Sequence, residues 1–271
     1  MGARERLYEP AGTPDAMLCV GGGKTLYIGS LDYVDWHLHG APVYIVGVTG
    51  NFRLRAPAGG WVTCRAAVIP AGVRHALDLG GDPLAVFYPE PTIADRSSLL
   101  RLGHAWDVHD GMLVGQRAEV GMFRELYEHR DSLAFAGEAL DQLVAFVHSR
   151  EPSRVLDPRL SRVVGRLDLP PDDLAAAEQL ARAEGLSVSR FMHLFSREVG
   201  VPFRRYRIWN RLRAAMRVAL IGRTLTEAAI SAGFTDSAHF ARLFRETFGV
   251  TPSYVFRKVA RAGNIAESVP R

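Results

Sequence analysis

Two stretches in the last third of the chain decide its fold. The first reads Ala181-Arg-Ala-Glu-Gly185-Leu-Ser187, followed by Phe191, Leu194-Phe195 and Gly200-Val201-Pro202. The second reads Ala229-Ile-Ser-Ala-Gly233-Phe-Thr235, followed by Phe240, Leu243-Phe244 and Gly249-Val250-Thr-Pro252. Gly185 and Gly233 lie 48 positions apart and the Leu-Phe pairs 49, so the second copy carries one extra residue. Each copy predicts a short helix, a tight turn and a second helix. The small Ala lets the helices approach, the Gly permits the sharp turn, and the apolar residues beyond it pin the second helix. Such a unit presents its second helix to the major groove of DNA. One copy is a weak sign, because any helical hairpin has an Ala and a Gly. Two copies with matching endings are a strong one.

The charge divides in the same place. From Leu160 onward there are 18 Lys+Arg and 10 Asp+Glu; the rest of the chain has 15 and 19. A basic C-terminal part behind an acidic N-terminal part suits a polyanion-binding domain attached to something else. The basic residues there are nearly all Arg, whose planar fork matches phosphate and guanine. With 271 residues there is room for two domains. Cys19 and Cys64 have no CxxC spacing and read as packed, reduced thiols. The N-terminus lacks an apolar signal core and no window reaches the length of a membrane span, so a soluble, cytoplasmic protein is expected.

From Leu18 to about Pro91 the chain alternates short apolar runs with Gly and Pro: Leu26–Gly29, Val43–Val48, Phe52–Arg55, Ala66–Ile69 and Leu84–Tyr88. That spacing predicts a small antiparallel sandwich or barrel. Between Arg117 and Arg150, Val120, Phe123, Leu126, Tyr127, Leu140, Leu143, Val144 and Val147 recur at helical spacing. They predict helices that pack on the barrel or pair two copies of the chain. Glu151–Arg154 and Asp157-Pro158 read as a linker. A short helix ending near Leu167 follows, and the next begins at Pro170–Asp173 with acidic residues at its positive end. Phe203–Ile221 predicts a longer connecting helix, and Thr224-Leu-Thr-Glu227 a capping box opening the second unit.

On the first recognition helix Phe191, Leu194, Phe195 and Val199 share the core face. Ser189, Arg190, Met192, His193 and Arg197 then point outward. On the second, Phe240, Leu243, Phe244 and Phe248 are core, leaving Ser237, Ala238, His239, Ala241, Arg242 and Arg245 outside. Residues early on such a helix reach base edges and later ones meet phosphate. His193, His239 and Arg242 are therefore read as base contacts, with Ser189, Met192 and Ser237 beside them, and Arg197 and Arg245 as phosphate contacts. A connector of 19 residues spans roughly 28 Å at about 1.5 Å per residue. That is compatible with neighbouring major grooves roughly 34 Å apart.

Residues from about Leu174 to Arg257 resemble the DNA-binding domain of the AraC/XylS family of bacterial transcriptional regulators. The resemblance runs through Ala181-x3-Gly185-Leu-Ser187, Leu194-Phe195, Tyr206, Arg211-Leu212, Ala228-Ala-Ile-x-Ala-Gly-Phe234, His239-Phe240 and Gly249-Val-Thr-Pro-Ser-Tyr254. It implies two helix-turn-helix units joined by a long helix, with positions 189, 192, 193, 237, 238, 239 and 242 facing bases. Ala238 and Ala241 are small, so the second helix reads fewer bases or touches thymine methyls.

Trp36-His37-Leu38-His39 and Pro70-x-Gly72-x-x-His75 resemble the HxH and PxGxxH motifs of cupin barrels, a fold common in the sensor domains of AraC-type regulators. Residues two apart on a strand face one side, so His37 and His39 point together. Where a metal-binding cupin has a Glu after the second His, this chain has Val43 or Tyr44. Three imidazoles can still hold a divalent transition metal. A metal, a small-molecule pocket lined by His37, His39 and His75, and purely structural histidines all stay open at this stage.

The expected fold class is α+β and multidomain. It has a cupin-like sensing barrel over 1–100, a helical dimerisation or linker region over 101–157, the DNA-binding domain over 158–260, and a tail over 261–271. The part from about Leu160 onward is expected to fold alone. The leading reading is a DNA-binding regulator, not an enzyme, with promoter DNA, a small-molecule effector, a second copy of the chain and, for an activator, RNA polymerase as partners. A metal-responsive regulator and a cupin metalloenzyme fused to a DNA-binding domain are the alternatives.

Overall fold

The computed structural model describes residues 16–21, 24–89, 99–129, 138, 142, 143, 145, 156–163 and 173–259. Eleven strands among them form two antiparallel sheets. They are β1 (Ala16–Gly21), β2 (Lys24–Ser30), β3 (Tyr33–His37), β4 (Val43–Gly47), β5 (Phe52–Arg55), β6 (Trp61–Cys64), β7 (Ala66–Ile69), β8 (His75–Asp78), β9 (Pro83–Pro89), β10 (Gly103–His109) and β11 (Met112–Ala118). The larger sheet has the order β1-β2-β9-β4-β7-β11-β10, and the smaller β3-β8-β5-β6.

Burial explains why some strands read as unbroken apolar runs. In β4 every residue is buried, with Tyr44 paired to Phe87 on one side and Val68 on the other. One face of this sheet, through Leu18, Ile45 and Val86, packs toward Leu54 and Leu77 of the small sheet. Its other face, through Ile28, Tyr44 and Phe87, packs toward Leu102 and helix α1 (Gly121–Glu128), which supplies Phe123 and Leu126. A strand covered on both faces has no polar side to alternate with. β5, covered on one face, does alternate.

The sheet continues past residue 100, where the sequence reading ended the barrel. β10 and β11 pair as a hairpin, and β11 joins β7. Asp110 and Gly111 both take positive φ, 47° and 80°, the conformation of the tight two-residue hairpin turn that Asp-Gly favours. That dipeptide was the available signal. Of the helical stretch expected over 117–150, Arg117 and Ala118 instead end β11, and Gly121–Glu128 form α1; Leu140, Val144 and Val147 lie outside the described residues.

The C-terminal part contains α2 (Pro158–Val163), α3 (Asp173–Ala183), α4 (Val188–Val199), α5 (Phe203–Leu220), α6 (Leu225–Ser231), α7 (Ser237–Phe248) and α8 (Pro252–Lys258). Residues 164–172, where the short helix was expected to end, lie outside the described residues. The sequence repeat is a repeat of bonds. Leu186 N–H donates to Ala181 O at 2.8 Å across the first turn, and Phe234 N–H to Ala229 O at 3.0 Å across the second. Gly185 and Gly233 take φ of 64° and 77° in those turns. Ser187 and Asp236 cap α4 and α7 by accepting the N–H of Arg190 and His239. The expected capping box at Thr224 and Glu227 is present.

The two units differ in what they pack against. The first has its own core, in which Leu180, Phe191, Phe195, Phe203 and Tyr206 meet. The second shares one core with the barrel interior: Phe240, Phe244, Trp209 and Met216 belong to the cluster holding Leu18, Ile45 and Val86. Helix α5 serves both, its first turn facing one core and its later turns the other. No helix among the described residues is long and apolar enough to cross a membrane.

Candidate functional site

On α4, Phe191, Leu194, Phe195 and Val199 are buried, while Ser189, Arg190, His193 and Arg197 are exposed and Met192 is half-buried. On α7, Phe240 and Phe244 are buried and Leu243 and Phe248 are half-buried. Ser237, Ala238, Arg242 and Arg245 are exposed, and His239 is half-buried beside Phe234. Each helix thus presents a polar face carrying the residues picked from sequence, except Met192, which packs partly on the first unit's core. Arg211 of α5 locks the second turn to the connector, donating to Ala232 O at 3.2 Å and to Gly233 O, with its guanidinium 4.4 Å from the Phe234 ring centroid.

The C-terminal end of α7 docks on the barrel. β3 is an edge strand of the small sheet, with N–H groups to spare, and a helix end has carbonyls to spare. They satisfy each other: Leu38 N–H donates to Glu246 O at 3.2 Å and Asp35 N–H to Gly249 O at 3.1 Å. Arg245, read as a phosphate contact, pairs with Asp35 at 3.1 Å. The backbone N–H of Trp36, and secondarily Arg245, hold the Asp35 carboxyl below its ordinary range. Tyr254 donates to Asp32 at 3.3 Å and Lys258 to Ser30 O at 3.1 Å. Gly249 has φ 73°, and a Cβ there would lie 2.5 Å from Val34, 2.6 Å from Asp35 O and 2.8 Å from His37 Nδ1.

His37, His39 and His75 converge as expected, all buried, with ligand atoms within 4.8 Å of one another. His37 Nδ1 donates to Asp35 O at 2.7 Å and His75 Nδ1 to Val73 O at 2.9 Å, which leaves both Nε2 atoms as lone pairs. His39 Nε2–H can then donate to His37 Nε2 at 3.2 Å. His75 Nε2 has no partner among the described residues. Burial is the main force pushing all three below the ordinary histidine value, His75 to about 4, and their neighbours' charge adds to it for His37 and His39. Neutral imidazoles oriented by backbone carbonyls are the donor set a transition metal takes. A tetrahedral zinc needs nitrogens about 3.3 Å apart, so the ring pair fits and the third ring must close in. Val43 and Tyr44, where a carboxylate ligand would be sought, are buried in β4.

Beside His37 and His39 lies an apolar cavity of about 60 Å³. Leu18, Ile45 and Val86 of the barrel form one side, and Met216, Phe244 and Phe248 of the helical part form the other. A separate cleft of about 320 Å³ opens among Trp36, Arg74, Arg205, Leu243 and Glu246. The docking residues Asp35, Gly249 and Arg245 were not recognised in sequence as a contact. They lie some 210 positions apart, and no local pattern records such a meeting.

The helix-turn-helix domain family matches residues 180–258. The chain is 33% identical over 143 residues to the transcriptional activator NphR of a Rhodococcus species, covering 49% of this chain and 42% of that protein. It is 35% identical over 86 residues to the transcriptional activator RhrA of Rhizobium meliloti, covering 31% and 27%. The match thus spans less than half the length of either relative. In fold the chain is similar to apo ToxT from Vibrio cholerae, with a TM-score of 0.57 at 14% identity over 89% of this chain and 100% of that one. Residues 180–258 thus form a helix-turn-helix domain of the AraC type.

Proposed function

We propose that this protein is a sequence-specific DNA-binding regulator of transcription, controlled by a small apolar effector taken up where the barrel meets the second helix-turn-helix unit. One observation carries the reading: the cavity beside His37 and His39 is walled by the barrel on one side and by the recognition helix α7 on the other. At about 60 Å³ it is far smaller than the roughly 300–1,000 Å³ of ordinary ligand sites. A ligand of ordinary size enters only as α7 moves, so occupancy is coupled to the DNA-reading surface by geometry. The barrel on this reading is a sensor and not an enzyme. Promoter DNA and the effector are its partners, together with a second copy of the chain. The two curated relatives carry the name activator, which favours contact with RNA polymerase.

The test is a thermal-shift screen of the full chain against apolar metabolites, followed by DNA-binding titrations on a duplex selected from random sequence. Compounds that raise the melting temperature should change DNA affinity at least tenfold. Stabilising compounds that leave DNA affinity untouched would remove effector control.

A metal-responsive regulator is the second reading, favoured by the convergence of His37, His39 and His75 and by the partnerless His75 Nε2. The three Nε2 atoms would hold the ion, and it would replace the His37–His39 hydrogen bond as the tie between β3 and the turn after it.

A further inference from the structure

Resting on the DNA-binding reading, we infer that the two helix-turn-helix units are unequal in the form described: the first is free to bind DNA and the second is held by the barrel. DNA is then read in two stages, one major groove before release and two after it.

The asymmetry lies in the packing. The first unit closes its own core, and among the described residues the barrel side chain packed against that core is Ala71. Arg197 of α4 pairs with its neighbour Glu198 at 2.9 Å, an exposed bond that a phosphate can replace. The second unit has no separate core, and its recognition helix ends in two hydrogen bonds to the edge of β3. Its Arg245, at the position where a helix of this kind meets phosphate, holds Asp35 instead. Asp32, just before β3, accepts from Tyr254 and adds a second tie between barrel and helical part. A phosphate brought to Arg245 meets a carboxylate already in place. Ser237, Ala238 and Arg242 at the start of α7 remain exposed. The hold therefore blocks the seating of the helix without covering its base-reading face.

The fit at Gly249 supplies a way to loosen it. The residue must tolerate positive φ, which Asn does better than other side chains. A Cβ there would press on Val34, Asp35 O and His37. Gly249→Asn thus keeps the helix cap and wedges the docked surfaces apart. Asp35→Asn removes the ion pair without adding bulk, and exposed pairs of this kind contribute little to folding.

The experiment uses the full chain and a 40-base-pair duplex selected from random sequence on the Gly249→Asn/Asp35→Asn protein. DNase footprints and affinities are measured for the wild type and that double variant, each with and without Arg242→Ala or His193→Ala. Circular dichroism checks that every variant is folded. The wild type should protect one major-groove segment and the double variant a second one about one helical turn, roughly 10 base pairs, away. His193→Ala should weaken both backgrounds. Arg242→Ala should weaken the double variant at least tenfold and the wild type by a several-fold smaller factor. Equal losses from Arg242→Ala in both backgrounds, or equal footprints, would overturn the inference while leaving DNA binding intact. Absence of sequence-selective binding in every background would remove the DNA-binding reading, and this inference with it.

Discussion

The amide of Leu38 donates to the carbonyl of Glu246 at 3.2 Å, so an edge strand of the barrel completes the end of a recognition helix. Neither partner is finished without the other. The strand loses a free edge and the helix loses an unsatisfied carbonyl.

Because the second unit shares its core with the barrel, a fragment covering residues 158–260 should carry an exposed apolar face. Trp209, Met216, Phe244 and Val255 are all buried in the full chain and line or adjoin that face. The fragment should keep its helices by circular dichroism, bind a hydrophobic dye, and melt at least 10 °C below the full chain. A fragment as stable as the full chain, without dye binding, would show that the second unit closes its core unaided.

The repeat and the two histidine motifs were legible in sequence because each is local. A turn needing positive φ at Gly185 or Gly233, a helix cap at Ser187, and two histidines two positions apart at the end of a strand leave their mark within a few positions. The hairpin of β10 and β11 also left one, in Asp110-Gly111, but its strand His104–His109 is mostly exposed and lacks the apolar alternation by which strands are found. The docking of α7 on β3 left none. It depends on where two distant segments meet, and Asp35 or Arg245 alone looks like any surface charge.

The buried histidines should make the fold acid-sensitive. An unfolded histidine takes up its proton near pH 6.5, whereas folded His75 resists until about pH 4. Across that window the unfolded chain binds more protons than the folded one, so stability falls as pH drops from about 6.5 to about 4 and levels off below. For His75 alone the loss is about 3 kcal/mol, and His37 and His39 shift in the same direction. Urea melts at pH 7, 5.5 and 4.5 check it. His75→Gln should flatten the pH dependence, and an unchanged slope would mean that these rings are not buried as a neutral set.

Under the metal reading, protein purified without chelator should carry close to one equivalent of zinc or a related ion by mass spectrometry of the digest. His37→Ala/His39→Ala should lose it. If no metal is found and the double variant also keeps its effector response, the histidines serve packing alone.

Arg197 and His193 should fail in different ways. Arg197→Ala should weaken binding to all sequences alike and lower the salt slope by about one charge. A sequence-selective loss at Arg197 would move it to the base-reading group.

Sequence-specific DNA binding is measured most directly by comparing the full chain's equilibrium binding to its selected duplex and to a scrambled one of equal length. Sequence-specific recognition predicts a preference of about 1,000-fold or more at physiological salt. His193→Ala should erode it by about 1–3 kcal/mol, with scrambled-duplex binding unchanged. Equal affinity for both duplexes, or an equal loss on both from His193→Ala, would contradict it.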